Sequence, residues 1–172
     1  MKKVFMLAMV AFMTFAMSQK AQAIEDPNPK GTLVLGIRGG LYPGFGANVV
    51  GDYTLVDSWW KGHFTVGAYA GFNSRTYGYE SYHWTYANFA VMPRVTYGLN
   101  ITKDFEAHAG VMAGMCFTHW PSNYYDNNNE FHFIHGELIG ARYMFTEKFG
   151  AEVELIYTGY MSYLNAGLTL KF

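Results

Sequence analysis

From about residue 32 onward the chain alternates apolar and polar side chains with period two, and the 3.6-residue stripe of an amphipathic helix is absent. The stretch LNAGLTLKF shows the rule: Leu164, Ala166, Leu168, Leu170 and Phe172 share one face, and Asn165, Gly167, Thr169 and Lys171 the other. Segments 32–42, 46–56, 62–73, 85–99, 105–118, 130–145, 149–158 and 164–172 repeat it, separated by clusters of Gly, Pro, Asn and Asp. Eight such segments limit the fold to a sheet with two unlike faces: a sandwich, a soluble barrel or a membrane barrel.

The polar face decides among these. It carries Gly36, Gly40, Gly67, Gly71, Gly98, Gly110, Gly114, Gly140 and Gly167, where a water-facing surface would be dense in Lys, Glu, Ser and Thr. Small residues beside a few long ones suit a narrow, filled interior. The charges on this face are Arg38, Arg94, Arg142 and Lys171 against Asp52, Glu106, Glu152 and Glu154, a set that balances as a buried ion-pair network must. The apolar face carries no charge apart from Glu137 and the titratable His135, and a basic residue there would cost roughly 2–4 kcal/mol at the bilayer midplane. The expected fold is all-β, an eight-stranded antiparallel up-and-down transmembrane β-barrel, closed because hydrocarbon tolerates no unpaired sheet edge. Two positions break the pattern. Pro93 predicts a local bulge in the fourth strand, and Glu137 predicts one near Gly136, in preference to a place at the rim.

Residues 1–23 read as a cleaved signal peptide: Lys2 and Lys3, an apolar run from Val4 to Met17, then Ala21-Gln22-Ala23. That leaves 24–172 as one domain, with nine basic against thirteen acidic residues, and the missing basic stripe excludes a nucleic-acid partner. No later run of 18 apolar residues exists, which excludes a helical membrane protein. Cys116 stands alone and makes no internal disulfide. Tyr42, Phe45, Trp59, Trp60, Trp84, Tyr97, Trp120, Tyr143, Phe145 and Phe149 gather near strand ends, where aromatic girdles lie.

Three features together, Ala21-Gln22-Ala23, the strand-turn-strand Gly140 to Gly150 and the ending Leu164 to Phe172, resemble the small eight-stranded outer-membrane barrels of the OmpX and OmpA-transmembrane-domain type. The resemblance implies export to the outer membrane of a Gram-negative cell, with both termini on the periplasmic side. It implies that Phe172, with Leu170 and Leu168, is the signal read by the barrel-assembly machinery. It leaves the task open, since such barrels anchor, adhere, resist host defences or conduct weakly.

Lipid A deacylases of this class use a His-x-Ser pair, and the nearest matches here, His63/Thr65 and His83/Thr85, place Thr where Ser is needed. His132, His135 and Glu137 raise a metal question, but 132 and 135 fall on opposite strand faces. His108 reads as a hydrogen-bonded lumen residue and Cys116 as an interior filler. No catalytic, cofactor or metal residues are therefore expected. The links 74–83 and 119–129, rich in Tyr, Asn and Ser, are the candidate contact surfaces for an extracellular ligand. The sequence thus predicts a monomer bathed in outer-membrane lipid, with a structural or surface-interaction role; a lipid A-modifying hydrolase and a narrow pore are the alternatives.

Overall fold

The computed structural model describes residues 27–41, 44–59, 62–79, 82–120 and 129–172, with side chains except at 77–79 and 82–84. The eight strands are β1 Leu33–Leu41, β2 Phe45–Trp59, β3 Gly62–Tyr79, β4 Tyr82–Asn100, β5 Phe105–His119, β6 Asn129–Met144, β7 Phe149–Tyr157 and β8 Leu164–Lys171. Each pairs antiparallel with the next, and β8 pairs with β1 to close the ring. The seam is tied at its foot by mutual bonds, Leu33 N to the Phe172 carbonyl and Phe172 N to the Leu33 carbonyl.

Burial inverts what water would impose. Ile37 is 73 % exposed and its neighbour Arg38 1 %, and the same contrast recurs along the strands. A barrel with apolar residues outside and charged residues inside is stable only in lipid.

The walls are unequal. β7, β8 and β1 run 9, 8 and 9 residues, whereas β3 and β4 run 18 and 19 and β5 and β6 15 and 16. Segment 74–83, expected to be a loop, is mostly strand: pairing continues out to Tyr79↔Tyr82. Thr76, Tyr77, Tyr79 and Tyr82 are β-formers, and Thr76 and Thr85 join their hydroxyls across the hairpin at 2.8 Å. β6 meets β7 only from Glu137↔Tyr157 downward, so its upper part is held by β5 alone among the described residues.

Neither expected bulge is present. Pro93 keeps register with Ala68, and on its other side β4 and β5 skip two rungs between Val91↔Met115 and Arg94↔Met112 without slipping. A proline has no N–H to give, and here the ladder omits the rung instead of adding a residue. Glu137 pairs in unbroken register with Val111 and Tyr157 and points outward. Tyr157 ends β7, so Glu137 lies at the rim of the short wall, where a charge costs little. The register shifts fall in β2 instead, between Thr54 and Trp59, where Leu55 and Val56 are both exposed and Ser58 has φ of 55°. Trp120 leaves the expected girdle: its ring packs on the buried Tyr86, centroids 4.8 Å apart.

Candidate functional site: a filled lumen

The register builds the charge network. Glu106, Arg142 and Glu152 are rung neighbours on β5, β6 and β7, so their side chains enter the lumen side by side. Arg142 Nε and Nη2 donate to Glu152 Oε2 at 3.0 and 2.9 Å, and Nη1 to Glu106 Oε1 at 3.3 Å. Asp52 and Arg94 flank Gly67 on β2 and β4, and a Cβ there would collide with the Asp52 carboxylate and the Gly51 carbonyl. Glycine leaves room for Arg94 to pair with Asp52 (Nε–Oδ1 2.9 Å) and to clamp Glu154 through Nη1 and Nη2, at 3.2 and 2.9 Å. Arg38 reaches from β1 past β8 to Glu152 and Glu154 on β7, at 3.0 and 2.7 Å, while its Nε donates to Asn48.

Three guanidiniums face four carboxylates. His108 stands between two of these, Nδ1 3.4 Å from Glu106 Oε1 and Nε2 3.2 Å from Glu154 Oε2. Carboxylates only accept, so in the contact with Glu154 the His108 Nε2 is the donor. His63 adds a contact to Glu106 at 3.6 Å.

Above the charges lies an apolar slab: Val50, Tyr69, Ala90, Met92, Met112, Cys116, Ile134, Leu138, Ile156 and Met161 pack together inside the ring. Above that, the β7–β8 link folds inward as a strap. Arg75 donates to the carbonyls of Gly159 and Met161 at 3.3 and 3.1 Å, Asn73 to Ser162 Oγ at 2.6 Å, and Asn88 to the Tyr160 carbonyl at 2.8 Å. At the opposite end the segment before β1 closes the base: Asn28 donates to Glu106 Oε2 at 2.7 Å. The lumen is therefore occupied at four successive levels, and this arrangement suits a plug, not a channel.

An inside-out ring of eight strands with a packed polar core has one structural class. The chain has the fold of the small eight-stranded outer-membrane barrels. Among solved structures, the N-terminal β-barrel domain of OprF from Pseudomonas aeruginosa matches with a TM-score of 0.54 at 17% identity, covering 83% of this chain and 98% of that one. Ail, the attachment invasion locus protein of Yersinia pestis, in complex with the heparin analogue sucrose octasulfate, matches at 0.52 with 10% identity, covering 82% and 97%. Neisserial surface protein A matches at 0.50 with 12% identity, covering 82% and 95%. By sequence, no protein-family model and no curated protein matches.

Within this outer-membrane barrel fold, seven of the eight charges expected in the lumen, Arg38, Asp52, Arg94, Glu106, Arg142, Glu152 and Glu154, meet in one network. Lys171 does not join it; its Nζ donates to the Pro27 carbonyl at 3.1 Å and ties down the closing segment instead. Leu168, Leu170 and Phe172 stand exposed on the outer face. His63 and Thr65 are buried in the lumen, with Thr65 bonded to Thr96 at 2.6 Å. The side chain of His83, the residues 1–23 and most of the link 119–129 lie outside the described residues. His132 pairs with Glu130 at 3.1 Å and stacks on Tyr160, apart from the outward His135 and Glu137. Among the described residues no group of three or more potential ligands could hold a metal. The residues missed from sequence are Asn73, Arg75 and Asn88, Ser162 and Asn28. For Asn73 and Arg75 the signal existed: they continue the lumen parity of His63, Thr65, Gly67, Tyr69 and Gly71.

Proposed function

We propose that this chain is an outer-membrane surface protein whose barrel is an anchor and whose working part is the tall wall of β3 to β6, directed outward from the cell. The single observation carrying this reading is the division of labour in the molecule. The lumen is filled from the Asn28 segment to the Arg75 strap, while four strands continue past the level at which β7, β8 and β1 end. A sealed barrel offers neither a conduit nor an internal active site. The projecting sheet offers aromatic and amide side chains and, along residues 129–136, a strand edge that no strand pairs on the β7 side among the described residues. Ail was solved with a sulfated ligand, but the outer links of this chain contain no arginine and no lysine, and Arg75, near the top of β3, is buried against the strap. An uncharged protein or glycan surface fits these links better than a sulfated one. With the signal removed, Phe172, Leu170 and Leu168 fit the role of the assembly signal.

Planar-bilayer recording of the refolded chain tests the anchor reading: a silent membrane is expected, and regular conductance steps would overturn it. Lipid A taken from cells with and without the protein should be identical by mass, and any change would restore the hydrolase. Cells expressing the full chain should attach to protein- or glycan-coated surfaces more strongly than cells whose β3–β4 hairpin is cut back to the rim; equal attachment would remove the surface role.

A further inference from the structure

We infer that the outer face of β4, β5 and β6 carries a binding site for a lipid with an aminoethyl phosphate headgroup, formed by Glu137, His135 and the groove beside them. The inference rests on the barrel being embedded in lipid, as proposed above. The groove, about 400 Å³, is lined by Pro93, Val95, Val111 and Ala113 and ends at His135 and Glu137. Its origin is legible in the register. Ala68 and Pro93, and Ala113 and His135, are paired, and the unslipped register of β4 and β5 sets the two pairs in one line across the unpaired Pro93–Ala113 rung; the first three members are small or lack an N–H for the ladder. The next row toward the loop end, Ala70, Val91, Met115 and Phe133, rises above them, and Phe133 and Met115 are strongly exposed. The result is a trough.

The trough rises toward β6. Ala68 stands six residues above the foot of β3 at Gly62, Pro93 seven above that of β4 at Asn100, Ala113 eight above Phe105, and His135 nine above Met144. An acyl chain lying along it runs upward toward β6, and its headgroup arrives at His135 and Glu137, level with the rim where β7 ends. On the described outward faces of the strands no other acid lies between the upper aromatic residues Phe131 and Phe133 and the lower ones Tyr143 and Phe145.

The chemistry selects the headgroup. Glu137 is an acceptor-only carboxylate, suited to a primary ammonium; the His135 ring offers an N–H to a phosphate oxygen. Two residues along a strand separate their attachment points by about 6.6 Å, a span that the ammonium and phosphate of one zwitterionic headgroup can bridge. A trimethylated ammonium has no N–H to donate, and an anionic glycerol headgroup meets a carboxylate. Neither fits.

The test is native mass spectrometry of the refolded full chain released from micelles doped with phosphatidylethanolamine, phosphatidylcholine or phosphatidylglycerol. Heat-modifiable gel mobility is checked first, so a failure to form the barrel is seen separately and would overturn the membrane reading itself. In the folded protein one phosphatidylethanolamine should be retained about tenfold better than phosphatidylcholine, the worth of one charge-assisted bond. Glu137→Gln should remove that preference and His135→Ala should weaken retention of both lipids, whereas Val153→Ala, on the outer face of β7 and outside the groove, should change nothing. Equal retention of the two lipids by the folded wild type, an undiminished preference in Glu137→Gln, or a preference for phosphatidylglycerol would overturn the site.

Discussion

Arg94→Leu is the perturbation that most directly asks what the lumen network contributes. The Arg94 side chain is fully buried and holds two carboxylates, Asp52 at 2.9 Å and Glu154 through two bonds at 3.2 and 2.9 Å. Removing it leaves two guanidiniums against four carboxylates. Hydrogen bonds to charged groups are worth about 1.5–3 kcal/mol each, and breaking a buried ion pair from one side costs about 3–5 kcal/mol. Glu154 keeps Arg38 at 2.7 Å and Asp52 keeps Arg142 at 3.7 Å, so the loss is not doubled. A destabilisation of about 3–5 kcal/mol follows.

The assay is urea titration of the refolded barrel in micelles, read by tryptophan emission and by the heat-modifiable band. Arg94→Lys keeps the charge but cannot clamp Glu154 and reach Asp52 with one planar fork, and should fall between, at about 1–2 kcal/mol. Adding Glu154→Gln to Arg94→Leu removes one stranded charge and should recover part of the loss. Val95→Ala, on the lipid face, sets the scale for an ordinary truncation. If Arg94→Leu lost no more than about 1 kcal/mol, the network would be ornamental and the reasoning from buried charge would fail.

Cys116 should resist maleimide in the folded barrel and react fully in urea, since it sits inside the apolar slab; fast labelling of the folded form would contradict a sealed lumen. Arg75→Ala should free the strap, so that chymotrypsin cuts after Tyr160 or Tyr163 at least about tenfold faster while the barrel band survives, since at least two charge-assisted bonds are lost. The same variant should still not conduct, because the slab remains. Gly67→Val should cost about 2 kcal/mol or more, because its branch meets a neighbouring backbone carbonyl that cannot yield. Gly39→Ala, with open space around it, should be near neutral by the same titration.

Lipid and lumen impose opposite demands on alternate residues, which is why the strands were legible in the sequence. Ile37 and Arg38 are adjacent in the chain and lie on opposite sides of the wall. What sequence hid were features for which polarity does not tell inside from outside. Tyr69, Met92, Met112, Leu138 and Ile156 share the lumen parity of the charges, yet each would be equally at home against lipid, and the slab they form appears only once the ring is closed. Arg75 follows the right parity but lies in 74–83, a stretch with loop composition, because Tyr, Ser and Gly suit an exposed turn as well as a strand end, and Asn73 stands at the last position of segment 62–73. Pro93 and Glu137 were read as register faults by local rules. Their neighbours on both sides hold the register, so the irregularity was absorbed by two missing rungs in one case and by the rim in the other. Lys171 had the expected parity but sits too near the foot of β8 to reach the network.

The network also bears on how the ring stays shut. β8 contributes mainly Asn165 and Thr169 to the lumen, with Gly167 between them, and a Cβ at 167 would collide with the backbone carbonyl of Ile37. A strand so thinly furnished holds its place by backbone pairing on both sides and by whatever bridges it. Arg38 is that bridge: it crosses the inner face at Gly167 and fastens β1 to Glu152 and Glu154 on β7. Asn48 on β2 adds a second crossing to Asn165 at 2.7 Å. The charged layer thus staples the closing strand from within. This mechanical task is confined to the lumen and makes no use of the outer face of the tall wall of β3 to β6.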